Sequence, residues 1–215
     1  FLTHAHEDNP ALGLRGLRAL RAAPQVLSDQ LQALKNAADQ TDAELWVMAP
    51  MVADAAETRY FVDAAKNAGL TTAGVMAEIP SLALVADQVV RRADFVSIGT
   101  NDLTQYALAA DRTLGATATY QDPWHPAVLR LVKLLGDAGA AAGTPVGICG
   151  EAAADPRLAV VLVGLGATTL SMAPAALAEV RAELAGATLE QARAKAAAAL
   201  AADSAESARA AAAAA

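Results

Sequence analysis

Five short apolar runs, each followed by a stretch with helical patterning, constrain this chain more than any other feature. They lie near residues 45–51, 73–79, 95–100, 145–149 and 167–172. The first, Leu45-Trp46-Val47-Met48-Ala49-Pro50-Met51, is continuous rather than alternating, as expected of a buried strand. Most of the intervals are long enough for a helical crossover, so the alternation implies a parallel sheet. Handedness rules then leave two architectures, an open doubly wound sheet and a (β/α)8 barrel. No GxGxxG follows the first run. Polar residues collect instead at the carboxyl ends of several strands, which favours a barrel-type site.

The helices carry recognisable starts. Asn9-Pro10 reads as a cap and first turn, followed by Leu14, Leu17 and Leu20 at helical spacing. Asp54 with Glu57 is a carboxylate version of the capping box, and Thr188 with Gln191 is a second capping box. Asp155-Pro156 opens a helix through Leu162. Trp124-His125-Pro126 reads as the entry of a helix through Ala142 that carries Val128, Leu131, Val132 and Leu135. Ser81 to Ala93 reads as one helix. From Ala192 the sequence is nearly all alanine with Lys, Glu and Ser. It reads as a helical end fraying into a low-complexity tail, giving a domain over 1–201 and an alanine-rich tail over 202–215.

Composition removes several function classes. With 16 Lys+Arg against 23 Asp+Glu, the net charge of −7 supplies no basic face for nucleic acid or an anionic membrane. The single cysteine cannot form an internal disulfide, and CxxC zinc spacing is absent. No apolar run approaches the ~18 residues of a membrane span. Phe1-Leu2-Thr3-His4 lacks the basic start of a signal peptide. The expected setting is soluble, reducing and cytoplasmic.

The strand ends hold the chemistry. Glu78 follows the second run, Asn101 and Asp102 the third, and Cys149-Gly150-Glu151 the fourth. In a parallel sheet these ends share one rim. Neighbouring strands are ~4.8 Å apart, so Glu78 and Asp102 are expected to converge on one cation. Two carboxylates completed by substrate oxygens and water suit Mg²⁺, with Mn²⁺ as the alternative, and do not suit zinc. Arg15 and Arg112 offer forked contacts to phosphate or carboxylate. Cys149, between glycines, is open to two readings: a core residue, or a thiol acting as general acid. Asp102 alone would equally serve as a helix cap. His4-x-His6 has metal-ligand spacing but suits a solvated terminal segment.

Taken together, these segments resemble a known family. Asp94-Phe95-Val96-Ser97-Ile98-Gly99-Thr100-Asn101-Asp102-Leu103-Thr104-Gln105-Tyr106, running on to Asp111-Arg112, is similar to the signature of phosphoenolpyruvate-utilising enzymes. Gly74 to Pro80, Gly147 to Glu151 and Asn9 to Arg15 match three further family motifs in the right order. Gln105-Tyr106, Ala109 to Arg112 and Asp122 to Pro126 look most like the Enzyme I branch, which serves the bacterial sugar phosphotransferase system. Pyruvate phosphate dikinase and phosphoenolpyruvate synthase are the neighbouring branches. The resemblance implies a TIM (β/α)8 barrel binding phosphoenolpyruvate, with Mg²⁺ held at Glu78 and Asp102. It also implies substrate oxygens held by Arg15, Asn101 and Arg112, and a proton handled at the methylene carbon by Cys149. It further implies a homodimer, with phosphate passed through a histidine on a separate amino-terminal domain to the carrier HPr.

The chain also departs from that pattern. The likeness begins after the family's third barrel strand, so about five βα units of an incomplete barrel are expected. The phosphohistidine domain has no counterpart, which reads as a fragment inactive on its own. A non-catalytic dimerisation or regulatory fragment, or a piece of a dikinase or synthase, are the alternatives. Five parallel strands cannot close, so the expectation is self-association through the sheet edges or marginal stability.

Overall fold

A computed structural model describes residues 6–215 of the chain. Its centre is one sheet of five parallel strands: β1 (Trp46–Ala49), β2 (Thr72–Ala77), β3 (Val96–Gly99), β4 (Val146–Cys149) and β5 (Thr169–Leu170). The spatial order is the chain order, β1-β2-β3-β4-β5. Every crossover therefore steps the same way, and right-handed connections put the helices on a single face. A doubly wound sheet reverses its order to cover both faces. The observed order is that of a partial barrel, and among the described residues β1 and β5 are its two edges.

The strand residues divide accordingly. Val47, Ala49, Ala73, Val75, Ala77, Val96, Ile98, Val146 and Ile148 point one way and are buried in the core. On the opposite face lie Trp46, Met48, Met76, Ser97, Gly147, Cys149 and Thr169, half-buried or exposed. Met76, Ser97, Gly147 and Thr169 form one lateral row in the register.

A 3-10 turn over Pro10–Leu12 precedes α1 (Leu17–Ala22) and α2 (Pro24–Ala38). The Asn9-Pro10 start thus makes only a turn, and the helix proper begins after Gly16. Next comes α3 (Ala55–Asn67), whose cap Asp54 accepts a hydrogen bond from Glu57 N at 2.8 Å. The Glu57 carboxylate answers one residue earlier than a regular capping box, taking Ala53 N at 2.9 Å. The single helix expected over Ser81–Ala93 is broken into α4 (Pro80–Leu84) and α5 (Ala86–Val89), because Val85 leaves helical geometry. The kink lets Leu82, Ala83, Ala86 and Val89 all reach the core.

After β3 come α6 (Thr100–Leu108) and a 3-10 segment over Gly115–Tyr120, then α7 (Pro126–Ala142), whose cap His125 accepts from Ala127 N. Past β4 the chain forms α8 (Glu151–Ala154) and α9 (Pro156–Gly164), the latter capped by Asp155. Asp155 also accepts the indole N–H of buried Trp124 at 2.9 Å. The last helices are α10 (Leu177–Ala185), α11 (Leu189–Ala201) and α12 (Ala205–Ala214).

The fraying end expected beyond Ala192 is instead two packed helices. Ala196, Ala199, Ala208 and Ala212 are buried. Residues this small let backbones approach closely: a Cβ on Gly164 of α9 would sit 2.1 Å from the Ala192 carbonyl of α11. A further capping box at Ser204 and Ser207 starts α12, and Arg209 anchors it to Asp122 with contacts of 3.1 and 3.0 Å. No helix among the described residues is long and apolar enough to cross a membrane.

Candidate active site at the carboxyl rim of the sheet

Glu78 is the first residue beyond β2, and only Ile79, the N-cap of α4, separates it from Pro80, so its backbone is held between strand and helix. The side chain is only 5% exposed, and Oε1 accepts a hydrogen bond from Met51 N at 2.7 Å. Met51, two residues beyond β1, holds a positive φ of 57°, which is strained for a residue with a side chain. That turn aims its N–H at the carboxylate. Burial pushes the Glu78 carboxyl above its ordinary range, and the charge of Asp102 adds to this; the Met51 N–H, Arg15 and Arg112 oppose it. The space is tight, since a Cβ on Gly99 would lie 2.7 Å from Glu78 Oε2.

Asp102 lies in the first turn of α6, with its side chain 14% exposed. Arg15 reaches its Oδ1 at 3.7 Å and Arg112 its Oδ2 at 4.0 Å. Oδ1 is nonetheless buried without a hydrogen-bond partner. Both arginines are held from behind. Glu7 accepts the Leu14 N–H at 2.7 Å, and the Tyr106 hydroxyl donates to the Ala11 carbonyl, tying the segment before Arg15 to α6. Arg112 N donates to Gln105 Oε1 at 2.9 Å. Next to it the Thr113 hydroxyl and N–H hold the Asp111 carboxyl below its ordinary range.

Asn101 and Cys149 join the same rim through the β3–β4 junction. Asn101 Oδ1 accepts from Glu151 N at 3.2 Å, and the Thr100 hydroxyl donates to the Cys149 carbonyl at 2.9 Å. The Cys149 thiol is half-buried and donates to the Ile98 carbonyl at 3.4 Å, while the Ser97 hydroxyl donates to the sulfur at 3.6 Å. A cavity of about 340 Å³ opens beside Thr100, Asn101, Thr104, Arg112, Gln121 and Glu151.

All six residues singled out in the sequence thus end on one rim, and the two acids share two arginines. Ser97 and Met51 were not singled out. Ser97 had a signal, being the one polar residue inside an otherwise apolar strand; Met51 had none, because its part is played by backbone. His4 lies outside the described residues, and His6 is exposed. Among the described residues no group of three or more His, Cys, Asp and Glu forms a metal cage. A cation here would rest on two carboxylates and exogenous oxygens.

The rim thus gathers two acids, two arginines and a thiol at the carboxyl ends of a parallel partial barrel. The family defined as PEP-utilising enzyme, PEP-binding domain, matches residues 1–189, and the chain belongs to it. Over 198 residues the chain is 57% identical to the phosphoenolpyruvate-protein phosphotransferase of Streptomyces coelicolor, covering 92% of this chain and 36% of that protein. It is 43% identical over 190 residues to the multiphosphoryl transfer protein of Xanthomonas campestris, covering 86% of this chain and 23% of that protein. A probable phosphoenolpyruvate synthase of Pyrococcus abyssi is 36% identical over 181 residues, covering 81% of this chain and 22% of that protein. The chain thus spans about a third or less of the length of these relatives.

Proposed function

We propose that this chain is the phosphoenolpyruvate-binding part of an Enzyme I-type phosphotransferase. The observation that carries the reading is the cluster of Glu78, Asp102, Arg15 and Arg112 at one end of the parallel sheet, next to the single thiol. The 57% identity to the Streptomyces coelicolor phosphotransferase, against 36% to the Pyrococcus abyssi synthase, supports this branch of the family.

Each residue then has a task. Arg15 and Arg112 bind the phosphate and carboxylate, leaving Asp102 as they do so. Their resting ion pairs are long and partly exposed, so exchanging them costs little. Asn101, whose Oδ1 is used by Glu151 N, turns its amide donor to the substrate. Glu78 and Asp102 hold Mg²⁺ or Mn²⁺. The fit rests on the buried, unpartnered Asp102 Oδ1 and on two crowded carboxylates of which one is pushed toward protonation. When bound, the ion supplies positive charge where the phosphoryl group loosens and enolate charge develops.

As the P–O bond breaks, its electron pair stays on the enol oxygen and the phosphoryl group passes to a histidine nucleophile. Cys149 gives its proton to the methylene carbon, closing the enolate to pyruvate. The reading carries with it a cytoplasmic, homodimeric parent. Its phosphohistidine lies on a separate amino-terminal domain and delivers phosphate to HPr for sugar uptake.

Calorimetry of phosphoenolpyruvate binding with and without Mg²⁺ tests it. Binding should require the ion, and Glu78→Ala and Asp102→Ala should each weaken it at least about tenfold. Unchanged affinity in both variants would remove the metal assignment, and no binding by the unaltered chain would overturn the reading of this chain as a phosphoenolpyruvate-binding part.

A further inference from the structure

We propose that Ser97 is a positioning residue for Cys149, holding the sulfur and stabilising it after its proton has left. The inference rests on the general-acid role given to Cys149 above.

Ser97 lies on the uncovered face of the central strand, two residues before Gly99, which is the register partner of Cys149. Gly147, its own register partner, has no side chain to intervene. Its half-buried hydroxyl donates to Cys149 Sγ at 3.6 Å. The thiol proton is used in a different direction, toward the Ile98 carbonyl at 3.4 Å. The sulfur therefore has one acceptor for its proton and one donor for its lone pairs.

The two contacts matter at different stages. Neutral sulfur is a weak acceptor, so the serine contact contributes little in the resting thiol. When the S–H bond breaks, its electron pair stays on sulfur and the proton forms the new C–H bond of pyruvate. The hydroxyl then faces a thiolate, and a hydrogen bond to an ionised acceptor is roughly twice as strong. Stabilisation that grows along the reaction coordinate is the kind that accelerates it.

Cys149 is the single cysteine, so iodoacetamide labelling of the full 215-residue chain reads this sulfur alone. The pH profile of labelling should have its midpoint raised by about half to one unit in Ser97→Ala. Ser97→Thr, which keeps the hydroxyl, should restore it. The charged groups of this rim, Glu78, Asp102, Glu151, Arg15 and Arg112, are the same in all three proteins, so the difference between profiles isolates the hydroxyl. An unmoved midpoint in Ser97→Ala, or an equal rise in Ser97→Thr, would overturn the proposal. Protection of Cys149 from labelling by phosphoenolpyruvate with Mg²⁺ serves as a separate arm. Its failure in all three proteins alongside the expected shift would overturn the functional reading and leave the Ser97–Cys149 pairing supported.

Discussion

Gly99→Ala tests the geometry of the rim most sharply, because the substitution touches neither charge nor donor. Gly99 has a negative φ of −85°, so alanine fits its backbone. The added methyl carbon, however, would sit 2.7 Å from Glu78 Oε2 and 3.0 Å from Met76 Sδ. The thioether is flexible and half-buried, so it can give way. The carboxylate has less freedom: it is 5% exposed, and its other oxygen holds Met51 N at 2.7 Å. To reach ordinary contact it must retreat by about 0.7 Å, which lengthens or breaks that hydrogen bond.

Losing a hydrogen bond to a charged group costs about 1.5–3 kcal/mol. Replacing glycine restricts the unfolded chain and returns about 0.4–1 kcal/mol. The net destabilisation is about 1.5 kcal/mol. With a urea slope of about 2 kcal/mol/M, the unfolding midpoint should fall by about 0.7 M. In a Glu78→Ala background the obstructing carboxylate is gone and only the Cβ of residue 78 at 3.1 Å and the flexible Met76 Sδ at 3.0 Å stay close, so Gly99→Ala should cost less than about 1 kcal/mol. An equal cost in both backgrounds would refute the packing argument.

Four further outcomes follow from the same structure. Glu78→Gln should melt above the unaltered chain at pH 7: burial, aided by Asp102, raises the folded carboxyl, so the charged form is the destabilised one. That stability gap should open as pH rises above the unfolded carboxyl near 4.5 and close below it; a gap independent of pH would contradict the assignment. Asp94 behaves oppositely. Burial alone would raise it, but Ala73 N and Lys66 hold it below 3.8, so Asp94→Asn should cost up to about 1 kcal/mol at pH 7 and progressively less as pH falls below 3.8, compared by urea midpoints. Arg209→Ala removes the Asp122 contacts and the stacking over Trp124, and amide exchange in α12 should quicken several-fold while β2 to β4 stay protected. Because β1 and β5 have open edges, sedimentation velocity of the isolated chain should show concentration-dependent association, and Met48→Lys on the β1 edge should reduce it.

The strands were legible because burial in a parallel sheet demands continuous apolar runs, and all five centres fall inside the segments read from them. Their ends were less legible: β5 keeps only Thr169 and Leu170 of a six-residue run. The placement of Glu78 and Asp102 on one rim was legible because each follows a strand of a parallel sheet. Val85 carries no glycine or proline to announce the break between α4 and α5; only the core, which takes residues from both halves, requires it. The alanine-rich end misleads for a related reason. Alanine gives no hydropathy stripe, yet its small size is what lets α11 settle on Gly164, so the packing signal is in volume rather than polarity. Ser97 and Cys149 lie 52 positions apart, and only the β3–β4 register brings them together.

The one-way strand order also explains why the rim is electrostatically tense. With every crossover on one face, the carboxyl ends of β1 to β4 and the helices after them converge without an intervening layer, so Glu78, Asp102, Arg15 and Arg112 share a small volume. Two acids and two guanidinium groups balance in number but not in geometry: one acid is buried and pushed toward protonation, and the other keeps an oxygen with no hydrogen-bond partner. A fold optimised only for stability would close these gaps with apolar contacts. An anion that draws the arginines off, together with a cation that takes up the two carboxylates, relieves both defects at once. The residual strain at Met51 and the crowding against Gly99 keep Glu78 from relaxing into any other arrangement. On the proposed reading, one anionic and one cationic ligand share this rim, and binding of phosphoenolpyruvate and of Mg²⁺ should each strengthen the other.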